Sequence, residues 1–300
     1  MSQALSLLDR IQSLVERETF HLPVFNQDAL RLRTLASQDN GIREVEAAIV
    51  RDQALAAEVL RVANSAFFRG LSEVSTIRTA IMRIGLQQVI KIVSMVAERS
   101  KYQARHPVLA PLMQALYLRT SASTLAADWL ADRLGYQDTE EAFLAGLLHD
   151  IGELVLLRAL DEFATSSEPK FPLPLELVQE ILSSAHAQVG SNYLKKRHIP
   201  EIYCRIALDH HQETCPPDDR LMALVRLADL AARKVGAGVT ADPSLVLVTT
   251  TEAAILGLDE IALAELEITL EDLMVPKKPA AATAPARPPQ GNAATAPHRG

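Results

Sequence analysis

The stretch Ala142-Phe143-Leu144-Ala145-Gly146-Leu147-Leu148-His149-Asp150-Ile151-Gly152-Glu153 sets an adjacent His-Asp pair inside an otherwise apolar helical run. His149 and Asp150 need partners there, because an unpaired carboxylate in apolar surroundings carries a heavy desolvation cost. A divalent metal would satisfy both at once, since imidazole and carboxylate together suit zinc, manganese and iron. The other reading is local: a histidine hydrogen-bonded to a neighbour and an aspartate capping a nearby helix. The dipeptide alone leaves both open. The rest of the chain weighs towards the first.

Downstream, Leu177 to Val189 places apolar residues at 178, 181, 182, 185 and 189, the spacing of one helical face, with His186 beside that stripe. A helix over Ile202 to Gln212 ends in Asp209-His210-His211, and another over Leu221 to Lys234 carries Asp229. With His198 as a weaker fifth, five of the eight histidines fall on or near apolar faces of separate helices, as do Asp150 and Asp229. Helical bundles build polar and metal sites this way, from inward side chains on facing helices.

Taken with their surroundings, these residues resemble the HD superfamily, and specifically its HDOD (HD-related output domain) branch of bacterial signalling proteins. The resemblance covers roughly residues 20 to 235. It rests on Asp52-Gln53-Ala54-Leu55 leading to Leu60-Arg61-Val62-Ala63-Asn64-Ser65, on Ser75-Thr76-Ile77 with Ala80-Ile81 and Ile84-Gly85, and on Gly146 through Gly152. His186 through Gly190, Ile199-Pro200 and His210-His211 complete it. The combination is highly specific, although no single element is. It implies an all-α fold, a multi-helix HD-like bundle with an N-terminal helical subdomain. It also implies His149, Asp150, His186, His210, His211 and Asp229 as a ligand set for divalent iron, manganese or zinc.

In catalytic relatives of the superfamily an early helix supplies a first histidine, the His-Asp pair binds or bridges metal, and a late aspartate closes the shell. The matching early helix here reads Leu116-Tyr117-Leu118-Arg119-Thr120-Ser121-Ala122-Ser123, and the first-histidine position falls on Thr120, a poor ligand for a soft divalent ion. Catalytic HD-GYP relatives carry a glutamate one turn earlier, where this chain has Leu116, and a lysine three residues after the His-Asp pair, where it has Glu153. Their Gly-Tyr-Pro loop, which helps to bind a cyclic dinucleotide, is replaced by Gln212-Glu213-Thr214-Cys215-Pro216-Pro217.

The six remaining residues could still supply a four- to six-ligand shell. Yet Glu153 in place of a cation would repel a substrate phosphate instead of stabilising its developing charge. The expectation is therefore a degenerate site in a non-catalytic signal-transduction module, a pseudoenzyme that binds a signalling protein partner or a small ligand, with homo-oligomer formation left open. The alternative is a metal-dependent phosphohydrolase or phosphodiesterase acting on a nucleotide or cyclic dinucleotide. A receptor that binds a cyclic dinucleotide without cleaving it is disfavoured by the missing Gly-Tyr-Pro loop.

With 300 residues, 48% of them hydrophobic, the chain can bury one large core or two smaller ones. Aromatics are only 4%, and Ala/Leu/Val/Glu/Arg stretches recur at helical spacing. Only Leu245 to Thr250 reads as a strand or as a β-branched helix flank. Charges break the apolar runs before about 18 residues, which argues against a transmembrane span, and no charged-then-apolar leader opens the sequence. Two cysteines, Cys204 and Cys215, fit a reduced cytoplasmic protein. Residues 276–300 hold Lys277, Lys278, Arg287 and Arg299 and no acid, so the rest of the chain stands at −11 against −7 for the whole. An acidic body gives no electrostatic basis for binding nucleic acid.

Residues 1–20 read as an amphipathic helix, with Leu5, Leu8, Ile11, Leu14 and Val15 at three- and four-residue intervals, to be covered by the body or by a partner. Residues 21–107 form the N-terminal helical part, with breaks at Asp39-Asn40-Gly41, Arg69-Gly70 and Gly85. The HD-like core spans 108–235, with a proline-rich loop at Ser166 to Pro174. A helical extension follows over 236–275, and the Ala/Pro-rich tail 276–300 is expected to be disordered. Lys195-Lys196-Arg197-His198 reads as cations at a helix C-terminus or as a phosphate clamp. Asn64 is expected to bond a neighbouring turn, and Trp129 to be core.

Overall fold

Short polar side chains or prolines stand where several helices begin, and glycines where some of them end. The helices are α1 (Ser2–Glu16), α2 (Gly41–Val50), α3 (Gln53–Ala63), α4 (Ile77–Ile84), α5 (Leu86–Glu98), α6 (Leu109–Arg133), α7 (Thr139–Leu148), α8 (Ile151–Ser166), α9 (Leu175–Lys196), α10 (Glu201–Asp209), α11 (Arg220–Lys234), α12 (Thr251–Leu256) and α13 (Glu260–Met274). Single 3-10 turns lie at Arg99–Lys101 and Leu247–Thr249, and no strand occurs among the described residues. This computed structural model describes residues 2–17, 41–65, 73–166 and 172–274, with Phe20, Leu22, Thr34, Ala36 and Phe68. The expected breaks at Asp39-Asn40 and Arg69-Gly70, most of the proline-rich loop and the tail 276–300 lie outside the described residues.

Thr76 accepts from the Thr79 amide at 3.1 Å to open α4, and Asp138 accepts from the Glu140 and Glu141 amides at 3.1 and 3.0 Å to open α7. Asp219 does the same for α11, accepting from the Met222 amide at 3.1 Å. Gly85, at φ +85°, separates α4 from α5 across a bend of 117°. No single helix among the described residues is long and apolar enough to cross a membrane.

Two apolar cores share α6 as their common wall. α6 is 25 residues long, about 37 Å at 1.5 Å per residue. Its C-terminal half, Ala122 to Ala131, packs with α2 to α5, α7 and α11. Its N-terminal half, Leu109 to Leu116, packs with α1, α8, α9 and Cys204 and Ala207 of α10. Asn64 ties the N-terminal helices together: its amide donates to the carbonyls of Leu60 and Val74 at 2.9 and 2.8 Å, and its oxygen accepts from the Val74 amide at 2.7 Å. Lys91 of α5 reaches Asp128 of α6 at 2.5 Å. Trp129 is half-buried against the first core, under the guanidinium of Arg133.

The body covers α1. Leu7, Ile11, Leu14 and Val15 are buried against α8 and α9, while Leu8 is only half-buried and the Leu5 side chain lies outside the described residues. Lys196 donates to the Glu16 carbonyl at 2.6 Å, and the Tyr193 hydroxyl both accepts from the Leu22 amide and donates to the Leu22 carbonyl. The C-terminal extension is likewise integral to the body, because Leu247, Ala253, Leu256, Leu263, Leu266 and Leu270 complete the first core. Leu245 to Thr250 resolves as a helix flank, with Leu247 inserted into the core by its 3-10 turn.

Candidate metal centre

His149 and Asp150 do not continue one helix, as the apolar run suggests; they sit in the break between α7 and α8, with His149 as the last helical cap. Directly after them, Gly152 lets α8 touch α9 backbone to backbone. A Cβ on Gly152 would stand 1.9 Å from the His186 carbonyl oxygen and 2.7 Å from the Gly190 nitrogen. No side chain larger than hydrogen fits there, and this close approach brings His186 beside Asp150. The centre therefore lies at the seam between the two cores.

Each buried histidine is held by its back nitrogen. His149 Nδ1 meets the Gly146 carbonyl at 2.8 Å and His186 Nδ1 the Leu182 carbonyl at 2.7 Å. His210 Nδ1 meets the Ile206 and Ala207 carbonyls at 3.2 and 3.1 Å. A carbonyl only accepts, so Nδ1 carries the proton and, in the neutral ring, Nε2 presents a bare lone pair. The Nε2 atoms converge on one carboxylate: His149 Nε2 lies 3.1 Å from Asp150 Oδ2, and His210 and His186 Nε2 lie 3.2 and 3.8 Å from Asp150 Oδ1. His211 stacks on His210 at 4.0 Å between ring centroids and meets the His186 ring at 4.9 Å. Asp229 Oδ1 is 3.7 Å from His149 Nε2.

All six residues anticipated from the sequence thus come together, in two overlapping groups. Donor atoms of Asp150, His186, His210 and His211 lie within 4.8 Å of one another, as do those of His149, Asp150 and Asp229. Asp150 Oδ1, Asp229 Oδ1 and Nε2 of His149, His186 and His210 are buried without a hydrogen-bond partner. Lone pairs facing a carboxylate across 3 to 4 Å repel unless a proton or a cation stands between them. Three imidazoles and one carboxylate are donors suited to a divalent transition metal, and histidines anchored through Nδ1 to carbonyls have the outer-shell support that metal ligands use. The residues fit a metal ion.

The sequence reading passed over Arg119. It enters the cluster from α6, whereas its neighbour Thr120 is buried without joining the donor groups. Arg119 Nη2 bonds Asp150 Oδ2 and also Glu153 Oε1 at 2.8 Å, Nε lies 3.6 Å from Asp229 Oδ1, and Nη1 donates to Thr240 Oγ1 at 3.2 Å. Glu153, expected to repel a substrate phosphate, is ion-paired with Arg119.

Burial opposes the charge on Asp150, but Arg119 and then His149 hold its carboxyl well below the usual carboxylate range. Burial also opposes charge on His149, and Asp150 with Asp229 outweighs it, raising the imidazole to about 10. Glu153 is pushed up by burial and then by Asp150, against Arg119. His211 is pushed down to about 4 by burial and by His210.

His198 does not join the cluster: it is exposed, in the turn after α9, at φ +56°. Of the cations before it, Lys195 pairs with Glu201 at 3.2 Å and Arg197 lies 3.5 Å over the Tyr193 ring. Cys204 and Cys215 are buried free thiols.

Fold and site together define an all-α domain with a buried His-Asp cluster at a helix seam. The chain belongs to the HDOD domain family, whose pattern matches residues 22–213. It is similar in fold to an HDOD domain protein from Geobacter sulfurreducens, at 21% identity and a TM-score of 0.62 over 91% of this chain and 96% of that one. It is similar also to a candidate metal-dependent phosphohydrolase from Shewanella amazonensis SB2B, at 20% identity and a TM-score of 0.67 over 92% and 100%. An uncharacterized protein of Treponema pallidum (strain Nichols) is 25% identical over 237 residues, 77% of this chain; the match spans only 44% of that relative's length.

Proposed function

We propose that this HDOD protein is a non-catalytic signal-transduction module that acts by binding a protein partner or a small ligand. The observation that carries the reading is the Arg119 network. Arg119 is the one guanidinium bonded to the cluster among the described residues, and its charge is shared by Asp150, Glu153 and Asp229. It has no charge left to offer a phosphate. Glu153 adds an acid at the position where phosphoryl chemistry needs a cation. A metal held by Asp150, His186, His210 and His211 would supply Lewis acidity. This chain's own residues would bind and orient that ion through anchored Nε2 atoms, and among the described residues no Lys or Arg other than the ion-paired Arg119 is bonded to the cluster.

A small ligand has a place to go. A cavity of about 710 Å³ lies where α3 and α5 meet α6, lined by Arg99, Tyr102, Gln114, Tyr117 and the ion pair of Arg61 with Glu58.

The competing reading, a metal-dependent phosphohydrolase, draws on the complete three-histidine and one-carboxylate donor set. A phosphodiesterase assay with added manganese and iron separates the two. No appreciable turnover of cyclic dinucleotides or nucleotides is expected. Robust hydrolysis that disappears in His149→Ala would overturn the proposal.

A further inference from the structure

The cluster divides along the two oxygens of Asp150. On the Oδ2 side stand His149 and Asp229, and the Arg119 guanidinium already lies against both carboxylates. On the Oδ1 side stand His186, His210 and His211, and among the described residues no Lys or Arg reaches that oxygen. We propose that Arg119 is a built-in cation which occupies the His149, Asp150 and Asp229 half of the centre. Exchangeable metal is then confined to a single ion in the Asp150, His186, His210 and His211 half. This deepens the reading of the cluster as a metal centre and does not depend on whether the protein is catalytic.

Three features show that Arg119 is fitted to this position. Its side chain is 6% exposed, so the charge is sequestered with its partners and not merely visiting them. Its stem is gripped by Gly238, which sits at φ +88°, a conformation L side chains rarely adopt, and whose added Cβ would stand 3.1 Å from Arg119 Cβ and 3.2 Å from Cδ. Its far nitrogen is fixed by Thr240. The segment after α11 thus closes over the arginine from behind while the carboxylates hold it in front.

Charge sharing completes the argument. A divalent ion on the Oδ2 side would have to displace a guanidinium that bonds Asp150, or lie against it, and like charges in a buried site repel strongly. On the Oδ1 side an ion replaces nothing. It relieves the unpartnered Nε2 atoms of His186 and His210 and the unpartnered Oδ1 in one step.

Equilibrium dialysis of the full chain against Mn(II), with elemental analysis, tests this. The expected result is one ion per chain, bound at least tenfold more weakly by His211→Ala and within threefold of the unaltered affinity by Asp229→Asn. Arg119→Met should take up a second ion, and His149→Ala in that background should lose it. Circular dichroism at the dialysis temperature establishes that each variant is folded. If Arg119→Met does not fold, the contrast between His211→Ala and Asp229→Asn decides. Two ions in the unaltered protein, none, an ion lost with Asp229→Asn but kept with His211→Ala, or a folded Arg119→Met that still binds only one would each overturn the proposal. Hydrolysis of a nucleotide by the one-ion protein would overturn the non-catalytic reading and leave this one standing.

Discussion

Replacing Arg119 by methionine keeps most of the stem's length and removes the charge from beneath three acids. The side chains of Asp150, Glu153 and Asp229 are 2, 14 and 9% exposed, so solvent cannot take over the role of the guanidinium. Removing one partner of a buried ion pair costs about 3–5 kcal/mol, most of it the penalty of leaving the other charge uncompensated. The losses at three acids do not add in full. His149 still faces Asp150 and Asp229, and Glu153, whose carboxyl is already pushed up, can take a proton. A net loss of about 3–5 kcal/mol is expected, which lowers the melting temperature by about 6–20 °C at about 2–4 °C per kcal/mol.

Urea unfolding at pH 7 in the presence of chelator measures it. Adding Asp229→Asn to Arg119→Met should recover about 1 kcal/mol or more, because it removes one of the stranded charges. A loss below about 1 kcal/mol, the scale of an exposed ion pair, would show that the guanidinium is not buried among its partners and would refute the network on which the functional reading stands.

Chelated protein should lose stability as pH rises from about 6.5 towards 10. His149 is raised to about 10 in the folded state, so its contribution is fully present below the unfolded value near 6.5 and disappears as the folded ring deprotonates. A His149→Gln variant with the same slope would refute that assignment. Gly152→Ala should destabilise by at least about 3 kcal/mol, since the 1.9 Å approach to the His186 carbonyl cannot be relieved by a rotamer change; a loss below about 1 kcal/mol would remove Gly152 as the reason α8 and α9 touch. Deleting residues 2–17 uncovers the surface under Leu7, Ile11 and Leu14, each buried side chain being worth about 1.5–3 kcal/mol before the entropy of ordering the helix is subtracted. A lower melting temperature is expected, and an unchanged one would make α1 dispensable.

Much of this architecture was legible because it follows local rules. Helix spacing placed His186, His210 and Asp229 on inward faces, and those faces do converge. The helix break at His149-Asp150 was not legible, since Ala142 to Glu153 is apolar enough to read as one helical run; directly after the break, Gly152 lets α8 touch α9. The covered face of α1 was read one position off at Leu7, because the choice between Leu7 and Leu8 is made by which of them meets α8 and α9. His198 carried a histidine's chemistry without a histidine's place: two residues before Pro200 it lies past the last turn of α9, where the chain has already left the seam.

Arg119 illustrates why the electrostatics of such a centre resist a linear reading. In Leu118-Arg119-Thr120-Ser121 an arginine followed by hydroxyl residues has the pattern of a solvated helix face, and its partners Asp150, Glu153 and Asp229 lie far along the chain on or beside other helices. Only the crossing of α6 by α7 and α11 brings them within reach. The residue of α6 that reaches the cluster is thus one position before the threonine singled out by resemblance, and it brings a permanent charge to the carboxylates. A missing histidine would merely weaken metal binding; an arginine in the cluster changes its electrostatics, because it neutralises the very carboxylates on which metal chemistry would draw. The same side chain that stabilises the fold is therefore the reason to expect binding without turnover.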